Sequence, residues 1–177
     1  MAAPIRIPTA VHLRPKDKSE PASIESVAAI LTRRKTSLIE DWLTRTKKTP
    51  QLNHLRLSDK QRTGHLPRLV DDLVARLGKP NAANKDSDAA PSPAAVEHGK
   101  LRRIQGYSSA MLIHESRILQ VTIFGILHEN LSVLDFNLLL PDVMIIADEV
   151  DSQLTQTMES FTNGSPKSVV GQFVKPK

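Results

Sequence analysis

The chain contains no cysteine. That removes disulfides, thiolate metal sites and thiol nucleophiles together, and it makes the cytosol the simplest compartment. Aromatic residues are only 3 % of the composition. A core therefore has to be built from Leu, Ile, Val and Ala, and few rings are left to stack on nucleic-acid bases. The six histidines include no H-x-x-x-H pair and no H-E-x-x-H motif, the spacings by which one helix offers two ligands to zinc. No Gly-rich phosphate loop is present, and no pattern of paired carboxylates or of a hydrolytic triad stands out. These absences point away from an enzyme, and neither a metal nor a cofactor is expected. Long hydrophobic runs are missing too. The most apolar stretch, Ile118 to Leu127, is interrupted by Gln120 and Thr122 and is short for a bilayer span. Met1-Ala2-Ala3-Pro4-Ile5 opens no signal peptide. The expectation is a cytoplasmic protein without membrane association.

What is present suits a folded protein. The 177 residues are 40 % apolar and 24 % charged, enough for one core with length left for tails. The net charge of +5 conceals an asymmetry, since residues 1–110 carry 20 Lys/Arg against 11 Asp/Glu and residues 111–177 carry 4 against 8. A basic half can signal nucleic acid. Here, though, the basic residues are dispersed (Arg33-Arg34-Lys35, Lys47-Lys48, Arg102-Arg103), as on solvated helix faces. Nucleic acid is not the expected partner.

Three breaks organise the chain. Pro4, Pro8, Pro15 and Pro21 mark a flexible arm over 1–21. Gly78 to Pro93 is rich in Pro, Asn, Ser and Asp and reads as an exposed loop. Asn163-Gly164-Ser165-Pro166 opens a tail over 163–177, with one short β-like run at Ser168-Val169-Val170. The intervening 22–162 is predicted to be a helical domain. Ile24, Val27, Leu31, Leu38 and Trp42 share a stripe at the helical period, predicting one long helix that Thr49-Pro50 ends. Ser58 and Gln61 fit a capping box. Leu66, Leu69, Val70, Leu73, Val74 and Leu77 form the next stripe, with Pro67 in the first turn or at a kink. Ser92-Pro93 opens a helix through Glu97 to Gln105. Gly106 can close it in the left-handed conformation, and Ser108 can cap its successor. From Ser109 to Asn130 apolar residues fall almost all round, as on a central buried helix. In the last helix Val143, Ala147, Val150, Leu154, Met158 and Phe161 share one face, with Asp148, Glu149, Asp151, Gln153 and Gln156 away from it. The fold class is all-α, about five helices in a bundle or globin-like array. Trp42, Leu73, Leu119, Ile123, Phe124, Val150 and Leu154 are its expected core.

Two stretches carry possible chemistry. His114-Glu115-Ser116-Arg117 resembles a phosphoacceptor box, in which a helix-borne histidine needs solvent access and a neighbouring acid. The plainer reading leaves His114 on a helix flank, with Glu115 and Arg117 in surface ion pairs. His98, Arg102 and Gln105 lie at i, i+4 and i+7, so one face presents all three. They form either a small-ligand pocket or a polar helix junction satisfied by carboxylates or carbonyls. Gly99 inside that helix costs about 1 kcal/mol relative to Ala, which suggests that another backbone passes close by. A single proximal histidine could also hold a haem.

Taken together, Trp42, then His65-Leu66-Pro67 with Leu69, then His98-Gly99, Arg102 and Gln105-Gly106-Tyr107, then Glu115 and Arg117 make up a composite pattern. In it the chain resembles the N-terminal sensor domain of RsbR-type (RsbRD) stress-response co-antagonists and of some bacterial sensor histidine kinases. The likeness covers roughly residues 25–162. It implies a helical, non-catalytic signalling domain acting through a kinase or STAS-type protein partner, and it supplies no ligand. Relatives commonly continue into an output domain; this chain is expected either to act alone or to find its output on another polypeptide. Alternatives are a histidine phosphotransfer protein using His114 and a haem or small-ligand sensor. Finally, Val143, Ala147, Val150, Leu154 and Phe161, with Thr157, follow a heptad-like spacing. That seam is a candidate homodimer interface, or it packs within its own monomer.

Overall fold

Ser26 accepts a hydrogen bond from the Ala29 amide and starts the first helix, α1 (Val27–Arg33). In the computed structural model, which describes residues 24–79 and 91–163, it is followed by α2 (Lys35–Lys48), α3 (Pro50–Asn53), α4 (Asp59–Thr63), α5 (Leu66–Leu77), α6 (Pro93–Ile104), α7 (Ser109–Glu129) and α8 (Phe136–Thr162). The architecture is an all-α bundle, with more helices than the five expected. The excess lies in the short α1, α3 and α4. A 3₁₀ turn, Leu131–Val133, joins α7 to α8, and one isolated parallel bridge links Glu25 to Leu134. The expected arm over 1–21, the centre of the 78–93 loop and the tail from Gly164, with its β-like run, lie outside the described residues.

Local signals in the sequence become caps. Ser58 and Gln61 form a reciprocal capping box on α4. Ser92 caps α6, with Pro93 at its first position, and Pro67 sits harmlessly in the first turn of α5, where its missing amide donor is not needed. Gly106 takes φ +82°. The Tyr107 amide then donates back to the Arg102 carbonyl at 3.0 Å, the turn that a left-handed glycine makes possible. Ser108 restarts the chain as the N-cap of α7.

The main core joins Val27, Ile30 and Leu31 of α1, Leu38 and Trp42 of α2, Leu66, Val70 and Leu73 of α5, Leu119, Ile123, Ile126 and Leu127 of α7, and Ile146 and Val150 of α8. A second cluster gathers Leu52, Tyr107, Met111 and Leu112 under Leu154, Met158 and Phe161. Truncating one of the large, fully buried side chains to Ala costs about 2–5 kcal/mol. The backbones of α6 and α8 pack most extensively of all pairs.

Several expectations need correction. The first stripe is two helices, because the backbone breaks at Arg34 (φ −95°, ψ 7°). Ile24 is 74 % exposed and lies ahead of the Ser26 cap, outside the stripe. Phe124 and Leu154 are half-buried, packed against the two clusters rather than within them. Helix α7 is not enclosed all round: Ile113 and Val121 face solvent. It also extends well beyond Ile118–Leu127, and its 21 residues are long and apolar enough to cross a membrane by length and composition. Its inner face is that of a core helix, with Leu119, Ile123 and Ile126 in the main cluster. In α8, Glu149 and Gln153 turn inward instead of away. Arg76 of α5 pairs with Glu149 at 2.9 Å and also with Asp148. Gln153 donates to Glu149 at 2.9 Å and to the Leu69 carbonyl at 3.0 Å. Buried polar groups are tolerable when satisfied in this way.

Candidate functional site: a buried His–Arg–Glu network

Helix α6 carries His98 and Arg102 on the face turned into the bundle. Arg102 is 0 % exposed, and every one of its side-chain nitrogens has an acceptor. Its Nε donates to Glu115 Oε2 at 3.0 Å, and one terminal nitrogen lies 2.9 Å from Glu115 Oε1. The same nitrogen donates to the Arg62 carbonyl at 2.7 Å, while the other reaches Gln105 Oε1 at 2.6 Å and the Gln61 carbonyl at 3.1 Å. The guanidinium also lies 4.6 Å from the centroid of the Tyr107 ring, a cation–π contact. Tyr107, brought back under Arg102 by the Gly106 turn, donates its hydroxyl to Glu115 Oε1 at 2.8 Å. A bidentate arginine–carboxylate pair of this kind fixes geometry as well as charge.

Two histidines complete the network. His98 Nε2 lies 3.4 Å from Glu115 Oε2. The His65 ring, at the head of α5, stacks on His98 with centroids 3.7 Å apart and planes 16° from parallel. Trp42 meets His65 edge-on and donates its indole N–H to the Glu115 backbone carbonyl. A cavity of about 30 Å³ lies beside Trp42, His65, His98, Glu115, Gln153 and Thr157, room for roughly one water.

Burial and charge set the protonation states. Burial pushes His65 well below the ordinary imidazole value, and His98, Arg102 and Arg68 push it further. Burial also lowers His98, assisted by Arg102 and opposed by its contact with Glu115. For Glu115 burial favours the neutral acid, but hydrogen bonds from His98 and Tyr107 and the charge of Arg102 prevail, and the carboxyl is held below its usual value. Burial and the neighbouring Glu115 raise the Tyr107 phenol. At neutral pH the arrangement is a carboxylate, a guanidinium and two uncharged imidazoles.

His65, His98 and Glu115 bring three potential metal-ligand atoms within 4.8 Å of one another. No local spacing could reveal this set, since the residues come from different parts of the chain. The geometry nevertheless fits an ion-pair network better than a metal centre. Both carboxylate oxygens of Glu115 already accept from Arg102 and Tyr107. Nearly parallel imidazole planes 3.7 Å apart do not direct their in-plane lone pairs at one point. A divalent ion would also share a buried space with the Arg102 charge. Haem has no room in the cavity beside this pair.

Among the sequence candidates, Arg102 meets Gln105 directly and His98 through Glu115, and the Arg102 guanidinium is satisfied by a carboxylate and by carbonyls. Glu115 is corrected from a member of a surface ion pair to the buried centre of the network, 4 % exposed. Its signal was in the sequence: Leu112, Glu115, Leu119, Thr122 and Ile126 follow a 3-4-3-4 spacing, and all five are buried. His114 is half-buried, and both carboxylate oxygens of Glu115 are engaged by Arg102 and Tyr107. In the α8 seam, Val150 and Thr157 are buried and Val143, Ala147, Leu154 and Phe161 are half-buried. Val150 belongs to the main core with Val143 packed against it, and Leu154 and Phe161 cover the second cluster, so these four seam residues have partners within the chain. The chain matches no protein-family model, no curated protein and no solved structure at a significant level.

Proposed function

We propose that the chain is a non-catalytic bacterial signalling domain of the RsbR sensor type, acting in the cytoplasm by binding a kinase or a STAS-type protein. One observation carries the reading. The residues behind the resemblance are scattered from Trp42 to Glu115, yet Trp42, His65, His98, Arg102, Gln105, Tyr107 and Glu115 converge on one buried network. A pattern of that kind specifies how a domain is held together. A catalytic pattern would instead aim a nucleophile or base into an accessible cleft. Arg102 and Glu115 are consumed by each other, and the adjoining cavity is water-sized. Gly99 and Gly106, the two glycines of the pattern, serve the same framework, one by close helix approach and one by a left-handed turn.

The test is direct binding of the full chain to an RsbT-like kinase and to STAS proteins from the same bacterium, by sedimentation or interferometry. A saturable complex with either supports the proposal. Absence of any complex, together with an acid-labile phosphoryl label that disappears in His114→Ala, would replace it with phosphotransfer.

A further inference from the structure

His65 and His98 are 4 % and 6 % exposed, and their rings lie face to face at 3.7 Å. The Nδ1 atom of each is buried without a hydrogen-bond partner. Two stacked imidazoles, each with one buried ring nitrogen lacking a protein partner, are an uncommon arrangement in a folded interior. The stack bridges the head of α5 to α6, two helices also joined by the Leu69, Ala94 and Ala95 cluster, by the Arg68–Glu97 ion pair and by the Ser92 hydroxyl, which donates to Asp72. Helix α6 itself is anchored elsewhere, along α8.

The surroundings decide what a proton would meet. Helix α2 contributes only the uncharged Trp42 edge. From α4 comes Arg62, whose guanidinium is bound to the Leu52 and Leu55 carbonyls. Arg68 of α5 pairs with Glu97 of α6. Arg102 of α6, Tyr107 of the following turn and Glu115 of α7 form the network already described. Gln153 and Thr157 of α8 line the cavity, and Glu149 is engaged by Arg76 and Gln153. The two imidazoles thus face one carboxylate, which Arg102 already compensates. A proton on His98 can lean on Glu115. A second, on His65, meets His98, Arg102 and Arg68 with no anion of its own.

We propose that the His65–His98 stack is a proton-operated switch, in which mild acid drives the two rings apart and releases the first turn of α5 from α6 while the α6–α8 pair stays closed. This extends the regulatory reading by naming an input to the same network. It is tested on the chain alone, so a missing partner would leave it untouched. Both imidazoles are held below the ordinary 6.5. The open state therefore binds more protons than the closed one once the pH falls beneath that value, and the closed junction loses stability on the acid side. Glu115, held below its usual value, stays ionised across this interval.

The experiment follows the imidazole Cε1 protons by NMR against pH, with hydrogen exchange on the same full-length chain. His65 and His98 should titrate below 6.5 and in a coupled manner. After correction for chemical rate, amides of residues 66–72 should exchange at least about tenfold faster at pH 5.5 than at pH 7, the factor that one unit of pKa difference supplies. Amides of residues 146–157 should not. Emission from Trp42, the sole tryptophan, should fall over the same interval as a cationic ring forms at its edge. His65→Phe keeps an aromatic face but not the proton; it should abolish the acid response while His98, the first of the two rings to be protonated, still titrates below 6.5. Independent titration of both rings near 6.5, equal loss of protection in α5 and α8, or a full acid response in His65→Phe would each overturn the proposal. Should that variant not fold, the wild-type titration and exchange decide alone.

Discussion

Gly99 of α6 and Thr157 of α8 meet with no space for a side chain between them. A Cβ built at Gly99 would lie 2.1 Å from the Thr157 carbonyl oxygen and 2.1 Å from Ser160 Oγ. The Thr157 hydroxyl meanwhile donates to the Ala95 carbonyl one turn earlier on α6, at 3.1 Å. The two backbones are therefore locked at a separation that only glycine allows, and that contact places the His98 and Arg102 face.

Gly99→Ala is expected to destabilise the fold by about 1–3 kcal/mol through overpacking, despite a gain of about 1 kcal/mol in helix propensity. The obstructing atom is backbone, so rotamer changes cannot relieve it. Chemical denaturation would measure the effect; a stabilised Gly99→Ala protein would mean that α6 and α8 do not approach this closely.

Arg102→Met should cost about 3–5 kcal/mol, because it strands the Glu115 carboxylate in the interior. Replacing both charges, as in Arg102→Met with Glu115→Leu, should recover a large part of that loss. A double-mutant cycle from urea melts isolates the coupling. Additive losses would show that the pair contributes little beyond its separate packing.

How much of this network the sequence disclosed depended on distance along the chain. Ser58 with Gln61, Ser92 with Pro93, and Gly106 with Ser108 are short-range signals, and each became the expected cap or turn. His98, Arg102 and Gln105 are legible together because one helical face defines them. His65 was not joined to His98, because packing between α5 and α6 brings them into contact and no periodicity encodes that. Glu115 is hidden for a different reason: its charge argues for the surface while its position on the stripe of Leu112 and Leu119 places it inside. The same preference for charge over register turned Glu149 and Gln153 outward in the expectation. Inside, Arg76 and the Leu69 carbonyl await them.

His114→Ala is expected to leave the melting temperature nearly unchanged. The ring is only half-buried and belongs to neither core cluster, and such substitutions usually fall within about 0.5 kcal/mol. Glu115→Gln, one residue away, should by contrast be strongly destabilising, since it removes the charge that Arg102 and Tyr107 are arranged around. Comparable losses in both variants would place His114 inside the network after all.

Leu154 and Leu140 sit on the same helix and should behave oppositely. Leu154 is half-buried over Leu52, Tyr107, Met111 and Leu112. Leu154→Glu would force a carboxylate against that apolar cluster, a change expected to cost several times the roughly 1 kcal/mol typical of point substitutions. It should appear as a lowered melting temperature, not as a change of mass in sedimentation. Leu140 is 68 % exposed, near the exposed Phe136 and Met144 in the first half of α8. Leu140→Glu should leave stability within about 0.5 kcal/mol. If the chain self-associates through α8, this outer face is the one available to it, and Leu140→Glu should then reduce the sedimenting mass to that of a single 19.6 kDa chain. A dimer dissolved by Leu154→Glu without loss of stability would instead restore the 143–161 seam as an intermolecular interface and require its residues to leave the monomer core.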